Sequence, residues 1–318
     1  MQKKIKIVIL AVVILFGFCL VRDFLIKSIV GTVASSVTGT PTHIGGLSLS
    51  IIKQSVRISD FKMYSPSGFP RDVLVDIPKI GVVYNMGALL KGRIHLKQLD
   101  IELKELGLAK NKEGKLNVDS LKIVESQKAE ERGVKKPAKE MAIRMDTVNL
   151  SMGRVVNKDY SVAGPPVIKV YDINLKKTYK NITSAQQLAA LIIAEPLKAA
   201  GIQGAKIYGV MMLTGVAALP VTAAFTFAGK DHAEADFDVS WDRAYAIGLK
   251  QLQKAGKVKT ENKQNGVIYA NVNGAGVTFK LKKVTDNKTH IVVSARKFGL
   301  PQPEISAGIL YRISDELK

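Results

Sequence analysis

The sequence predicts an α+β fold, mainly β, behind an N-terminal transmembrane helix and ending in a small two-layer domain of order β-α-β-β-β-α. Three observations carry this. Lys3, Lys4 and Lys6 precede fifteen uncharged, mostly branched apolar residues from Ile7 to Val21. Apolar and polar residues then alternate with period two across much of 47–175, the mark of sheet with one dry face. After Lys230 the composition changes to a compact unit with its own strands, helices and turns.

The apolar run gains nothing from water and belongs in a bilayer, with the basic flank predicting a cytoplasmic amino terminus. Phe24 to Ile26 extend it toward the usual span of about 20 residues if Arg22 snorkels to the headgroups. The anchor is therefore bounded by Ile7, Val21 and Ile26. A cleaved signal peptide is the rival reading, but no A-x-A site follows. Phe24, Ile29, Val33 and Val37 continue as an amphipathic stripe that breaks at Gly39 and Pro41.

Strands follow in order. Leu47, Leu49 and Ile51 alternate, then Val56 and Ile58, then Val73, Val75 and Ile77. Ile94 and Leu96 precede Leu99, Ile101 and Leu103. Later come Val148, Leu150 and Met152, then Ile168 and Val170, and Ile173 and Leu175. Turn signals separate the runs at 65–68, 111–114 and 164–166. The charge-dense stretch 127–139 reads as a mobile loop within the sheet region. Ser184 is a good N-cap for a helix ending at Gly201, which Pro196 should kink. Ile207 to Gly229 is an uncharged run of moderate hydrophobicity containing Pro220, read as a lid helix or a second span.

In the last unit Phe237, Val239 and Trp241 alternate as a strand, and Asp242 can cap the helix that stops at Gly256. Val267 and Tyr269, then Val277, Phe279 and Leu281, then Ile291 and Val293 give three more strands joined by hairpin turns. The last helix sets Ile305, Ile309, Ile313 and Leu317 on one side. The resulting division is 1–37 anchor and amphipathic helix, 38–206 β domain, 207–232 apolar segment, and 233–318 small α+β domain.

Composition narrows the function. A net charge of +20 suits nucleic acid or anionic lipid, and exported chains rarely meet nucleic acid. The alternative is that lysines keep sheet edges soluble. The one cysteine lies in the membrane segment, which excludes a disulfide framework and a zinc-thiolate site. His43, His95, His232 and His290 are scattered. Glu234, Asp236 and Asp238 share a strand face with Asp231 and Asp242 nearby, but lack the glycine turn and glutamate of a calcium loop and read as a solvated face. No phosphate loop or nucleophile elbow occurs, and Gly274-Ala275-Gly276 is a turn. Asn181-Ile182-Thr183 reads as a helix lead-in. The expectation is a protein without catalysis and without a cofactor.

SPSGFPRDV at 65–73, Gly92-Arg93-Ile94, KNKEGKLNVDSL at 110–121 and YKNITSAQQLAALI at 179–192, behind an N-terminal anchor, resemble the AsmA-like family over about residues 1–215. The resemblance implies an inner-membrane protein of the diderm envelope with a bulk periplasmic part. It further implies a curled antiparallel β-sheet groove and a link to lipid transport and envelope assembly. The region from about Ala233 is similar to a DUF3568-type bacterial domain often found in lipoproteins.

With such a groove, Val56, Ile58, Val73, Val75, Ile77, Ile94, Leu96, Ile101, Leu103, Val148 and Leu150 would face lipid. A sixteen-carbon acyl chain would gain roughly 10 kcal/mol there at about 0.8 kcal/mol per methylene. The same residues forming a closed core is the alternative. The expected partners are membrane phospholipid or other glycerolipid, and envelope proteins. The competing function is a structural or regulatory protein of envelope assembly that works through its sheet edge and basic surface.

Overall fold

The computed structural model describes residues 30–32, 34–125, 143–202 and 232–317. The anchor residues Ile7, Val21 and Ile26, most of the amphipathic stripe, the 127–139 loop and the 207–229 apolar run lie outside them. Among the described residues no helix is long and apolar enough to cross a membrane.

The first unit is a six-stranded sheet in the order β1 (Thr42–Ser50), β2 (Ser55–Tyr64), β3 (Val73–Tyr84), β4 (Ile94–Lys110), β5 (Ile143–Asp159) and β6 (Val167–Ile182). Alternation placed these strands because one sheet face is dry. Ile58, Ile77, Leu99, Ile101, Leu103, Val148 and Leu150 are buried there in one cluster. Two elements cover that face. One is helix α2 (Ala185–Ala199), which buries Leu191, Ile193 and Leu197. The other is the 117–124 segment, with Val118, Leu121 and Val124. Val30, Ala34 and Val37 of the helical residues preceding β1 pack against the same cluster.

Local chemistry sets the helix ends. Ser184 Oγ accepts from Gln187 N–H at 3.0 Å, and the Gln187 side chain accepts from Thr183 N–H at 2.7 Å, a near capping box. Gly201, at φ 67°, lets Ile202 N–H reach the Leu197 carbonyl and close the helix.

The curled antiparallel groove is not what forms. The sheet is open, neither closed nor curled, and β4 pairs with β5 in parallel from Ile94↔Ile143 to Lys110↔Asp159. The chain after Lys110 returns to the starting end of β4 before β5 begins, so the run of strands is not a simple meander. Alternation reports one dry face and cannot tell a trough from a face that a helix covers. Here α2 lies across β4, β5 and β6.

The opposite face of the first sheet is polar. Lys79 pairs with Glu102 at 3.0 Å, Lys104 with Asp76 at 3.5 Å and Arg154 with Glu105 at 2.8 Å across neighbouring strands. Asn149 donates to Asp100 at 2.7 Å and Thr178 to Asn149 at 2.8 Å. The exposed Lys79–Glu102 pair contributes little to stability, and all three cross-strand pairs favour this strand register.

The second unit is a sheet in the order β12 (Leu300–Pro301), β11 (Lys288–Lys297), β10 (Ala275–Thr285), β9 (Val267–Val272) and β8 (Lys257–Asn262), with β7 (His232–Phe237) also pairing with β11. Helices α3 (Trp241–Ala255) and α4 (Pro303–Leu317) cover one face. Phe279 is fully buried at its centre, against Gly248 of α3. The expected β-α-β-β-β-α order is corrected in two ways. The strand before α3 ends at Phe237 and Trp241 opens the helix, and β8 and β12 are additional.

Helix α4 also joins the two units. Its apolar side, Ile305, Ile309 and Ile313, serves the second core. Its other side meets the first sheet, where Gly308 lies against the Ile168 carbonyl. Tyr311 O–H donates to Glu105 at 3.2 Å beneath the Arg154 guanidinium, 5.1 Å from the ring centroid. Arg312 donates to the Pro166 carbonyl. Nearby, burial beside Asp72 pushes the Tyr160 phenol up to about 12.

Candidate functional site

The residues expected to face lipid are brought together on the first sheet, but under cover. Ile58, Val75, Ile77, Ile101, Leu103, Val148 and Leu150 are buried in the first core. Val56 and Leu96 are half-buried against it. Val73 and Ile94 are half-buried near the strand ends.

The histidines each meet a carboxylate. His290 reaches Asp236 at 2.7 Å, His232 reaches Glu234 at 3.3 Å and His43 lies 3.6 Å from Asp60. Lys288 also pairs with Asp236 at 3.1 Å, so a lysine and the two imidazoles already occupy the acidic strand face. No group of three or more His, Cys, Asp or Glu among the described residues is arranged to hold a metal.

What the surface does present is one end of the first sheet. The β1–β2 turn, residues 51–54, sits there because Gln54 adopts φ 47° and closes the turn onto the Ile51 carbonyl at 3.2 Å. The same Gln54 holds the neighbouring helix α1 (Met86–Leu89): its side chain accepts from Met86 N–H at 3.2 Å and its carbonyl from Tyr84 N–H at 2.9 Å. Asn85 caps α1 through Ala88 N–H at 3.1 Å. The starts of β4 and β5 complete this end.

These short connections carry unusual side chains. Ile52 is 95% exposed and Leu90 81%, with Ile51 and Leu89 about half exposed beside them. Lys53, Lys91 and Arg93 are interleaved with them, and none has an ion-pair partner among the described residues. Next to them is an open cavity of about 470 Å³. Its lining is apolar at Ala88, Ile94 and Ile143 and basic at Lys91, Arg93 and Arg144. At its edge Asp146 accepts from Arg144 at 2.8 Å and lies 2.7 Å from His95 Nε2. Arg144 and then His95 hold the Asp146 carboxyl below the usual carboxylate range, so it is an anion that spends its charge on those two groups.

The sequence pattern does not single out this end: Ile51 closes an alternating strand and Arg93 belongs to a strand start. The signal was nevertheless present: apolar pairs Ile51-Ile52 and Leu89-Leu90 fall in connections, each followed by a lysine, where a soluble turn would be polar.

Comparisons with family models, with curated proteins and with solved structures return no match.

Proposed function

We propose that this is a membrane-anchored, non-enzymatic protein of the bacterial envelope that rests the 51–54 and 85–93 end of its first sheet on an anionic lipid surface. The observation that carries the reading is the pair of nearly bare side chains, Ile52 and Leu90, set among Lys53, Lys91 and Arg93, which have no ion-pair partner among the described residues. Exposed apolar clusters of this kind mark interaction sites. Cations between them select a negative, deformable surface over an apolar protein face.

The magnitudes suit a reversible contact. Each cation contributes about 1 kcal/mol near an anionic leaflet. Burying a Leu or Ile side chain contributes about 1.5–3 kcal/mol. Neither term alone holds a protein on a membrane; the N-terminal anchor expected from the sequence supplies the second attachment. The net charge of +20 and the resemblance to the AsmA-like family favour the same location.

Hydrogen–deuterium exchange on the full-length protein in nanodiscs tests this. With about a third of the lipid anionic, amides 51–54 and 85–93 are expected to exchange several-fold more slowly than in a purely zwitterionic bilayer. The triple charge reversal Lys53→Glu, Lys91→Glu and Arg93→Glu should abolish that difference. Equal exchange in both bilayers for the natural protein rejects the reading.

A further inference from the structure

The geometry points to a binding site for the phosphomonoester headgroup of a membrane lipid in the cavity lined by Lys91, Arg93 and Arg144. This rests on the proposed membrane contact and adds a preferred ligand to it. A flat basic surface attracts any anionic lipid in proportion to its charge. This cavity differs in three respects.

It is concave, about 470 Å³, large enough for a glycerophosphate group. Its walls combine two chemistries: Ala88, Ile94 and Ile143 offer apolar contact to the glycerol and first methylenes, and three cations offer it to phosphate. Those cations are not equivalent. Arg144 is bound to Asp146 at 2.8 Å, which offsets its charge and fixes its guanidinium. Lys91 and Arg93 have no ion-pair partner among the described residues and keep their full charge for a ligand.

Two free cations match the two negative charges that a terminal phosphate approaches at neutral pH. The planar fork of Arg93 can take two phosphate oxygens while Lys91 acts as a point charge on the third. A phosphodiester headgroup has one charge and two unesterified oxygens, and its outer alcohol would crowd the basic side. Two of its lining residues, Ala88 and Lys91, flank the exposed Leu89 and Leu90 in the chain, so a lipid whose chains remain in the bilayer beside those leucines can present its headgroup to the site.

The test uses the full-length protein in nanodiscs of phosphatidylcholine with 20 mol% of either phosphatidic acid or phosphatidylglycerol, read by hydrogen–deuterium exchange. Phosphatidic acid is expected to slow exchange at 91–95 and 143–146 at least threefold more than phosphatidylglycerol. Arg93→Ala should remove that excess while protection at 51–54 persists. Equal protection by the two lipids overturns the headgroup preference and leaves the membrane contact standing. No protection by either overturns both. Protection by inorganic phosphate at 10 mM in phosphatidylcholine alone identifies a soluble phosphate ligand and overturns the lipid assignment.

Discussion

Replacing Lys177 by Met is expected to destabilise the first unit by about 3–5 kcal/mol, and adding Glu195→Leu is expected to restore most of the loss. Lys177 on β6 and Glu195 on α2 form an ion pair inside the dry side of the sheet, with side chains only 7% and 1% exposed. Glu195 precedes Pro196 inside α2, beside the Tyr179 phenol. Burial, and then the charge of Glu195, push that phenol far up, so it stays neutral. A charge in such a place is tolerated only while its partner is present. Removing the cation leaves a bare carboxylate under the helix. Replacing both with apolar groups of similar size removes the cost of desolvating either. Urea unfolding of the single and double variants, followed by circular dichroism, measures the cycle. Equal losses in both variants would show that the pair contributes favourably beyond mutual compensation.

Gly308→Val is expected to separate the two units while leaving each folded. A Cβ at this position would collide with the Ile168 carbonyl on β6, and backbone cannot yield as a side-chain tip can. Typical overpacking costs about 1–3 kcal/mol. Here the strain falls on the contact between α4 and the first sheet, because the opposite side of α4, Ile305, Ile309 and Ile313, remains packed in the second core. The linked contacts, Tyr311 with Glu105 and Arg154 and Arg312 with Pro166, are expected to part together. A single thermal transition should become two. One transition at the natural midpoint would mean that α4 shifts without releasing the sheet.

Much of the architecture can be read from the chain. Leu47 to Leu175 alternate because a one-sided sheet requires it, and Ser184 and Gly201 bound α2 through ordinary capping chemistry. Ile94 and Leu96 belong to the same long strand as Leu99, Ile101 and Leu103. The parity change between them coincides with the register shift at Val83/Tyr84 on β3. The parallel pairing of β4 and β5 left no trace, since pairing direction does not alter alternation along a strand. Strand β8, KVKTEN, is an edge with almost no buried side chain and so carries no apolar period. The dry face looked like a lipid trough because an apolar stripe has one appearance whether a helix or an acyl chain covers it. The 51–54 and 85–93 end is hidden in the sequence for the converse reason. Ile52 and Leu90 matter through their exposure, which sequence does not display, and turn 51–54 and α1 become neighbours only through Gln54.

The most direct measurement places an environment-sensitive fluorophore on single cysteines at Ile52, Leu90 and Val162, in full-length protein carrying Cys19→Ser and reconstituted in anionic bilayers. Val162 is the control, an exposed apolar residue in the β5–β6 turn at the other end of the sheet. Blue-shifted emission and quenching by lipid-borne quenchers are expected at 52 and 90, with a water-like spectrum at 162. Water-like spectra at all three positions would contradict the membrane contact on which the functional account stands.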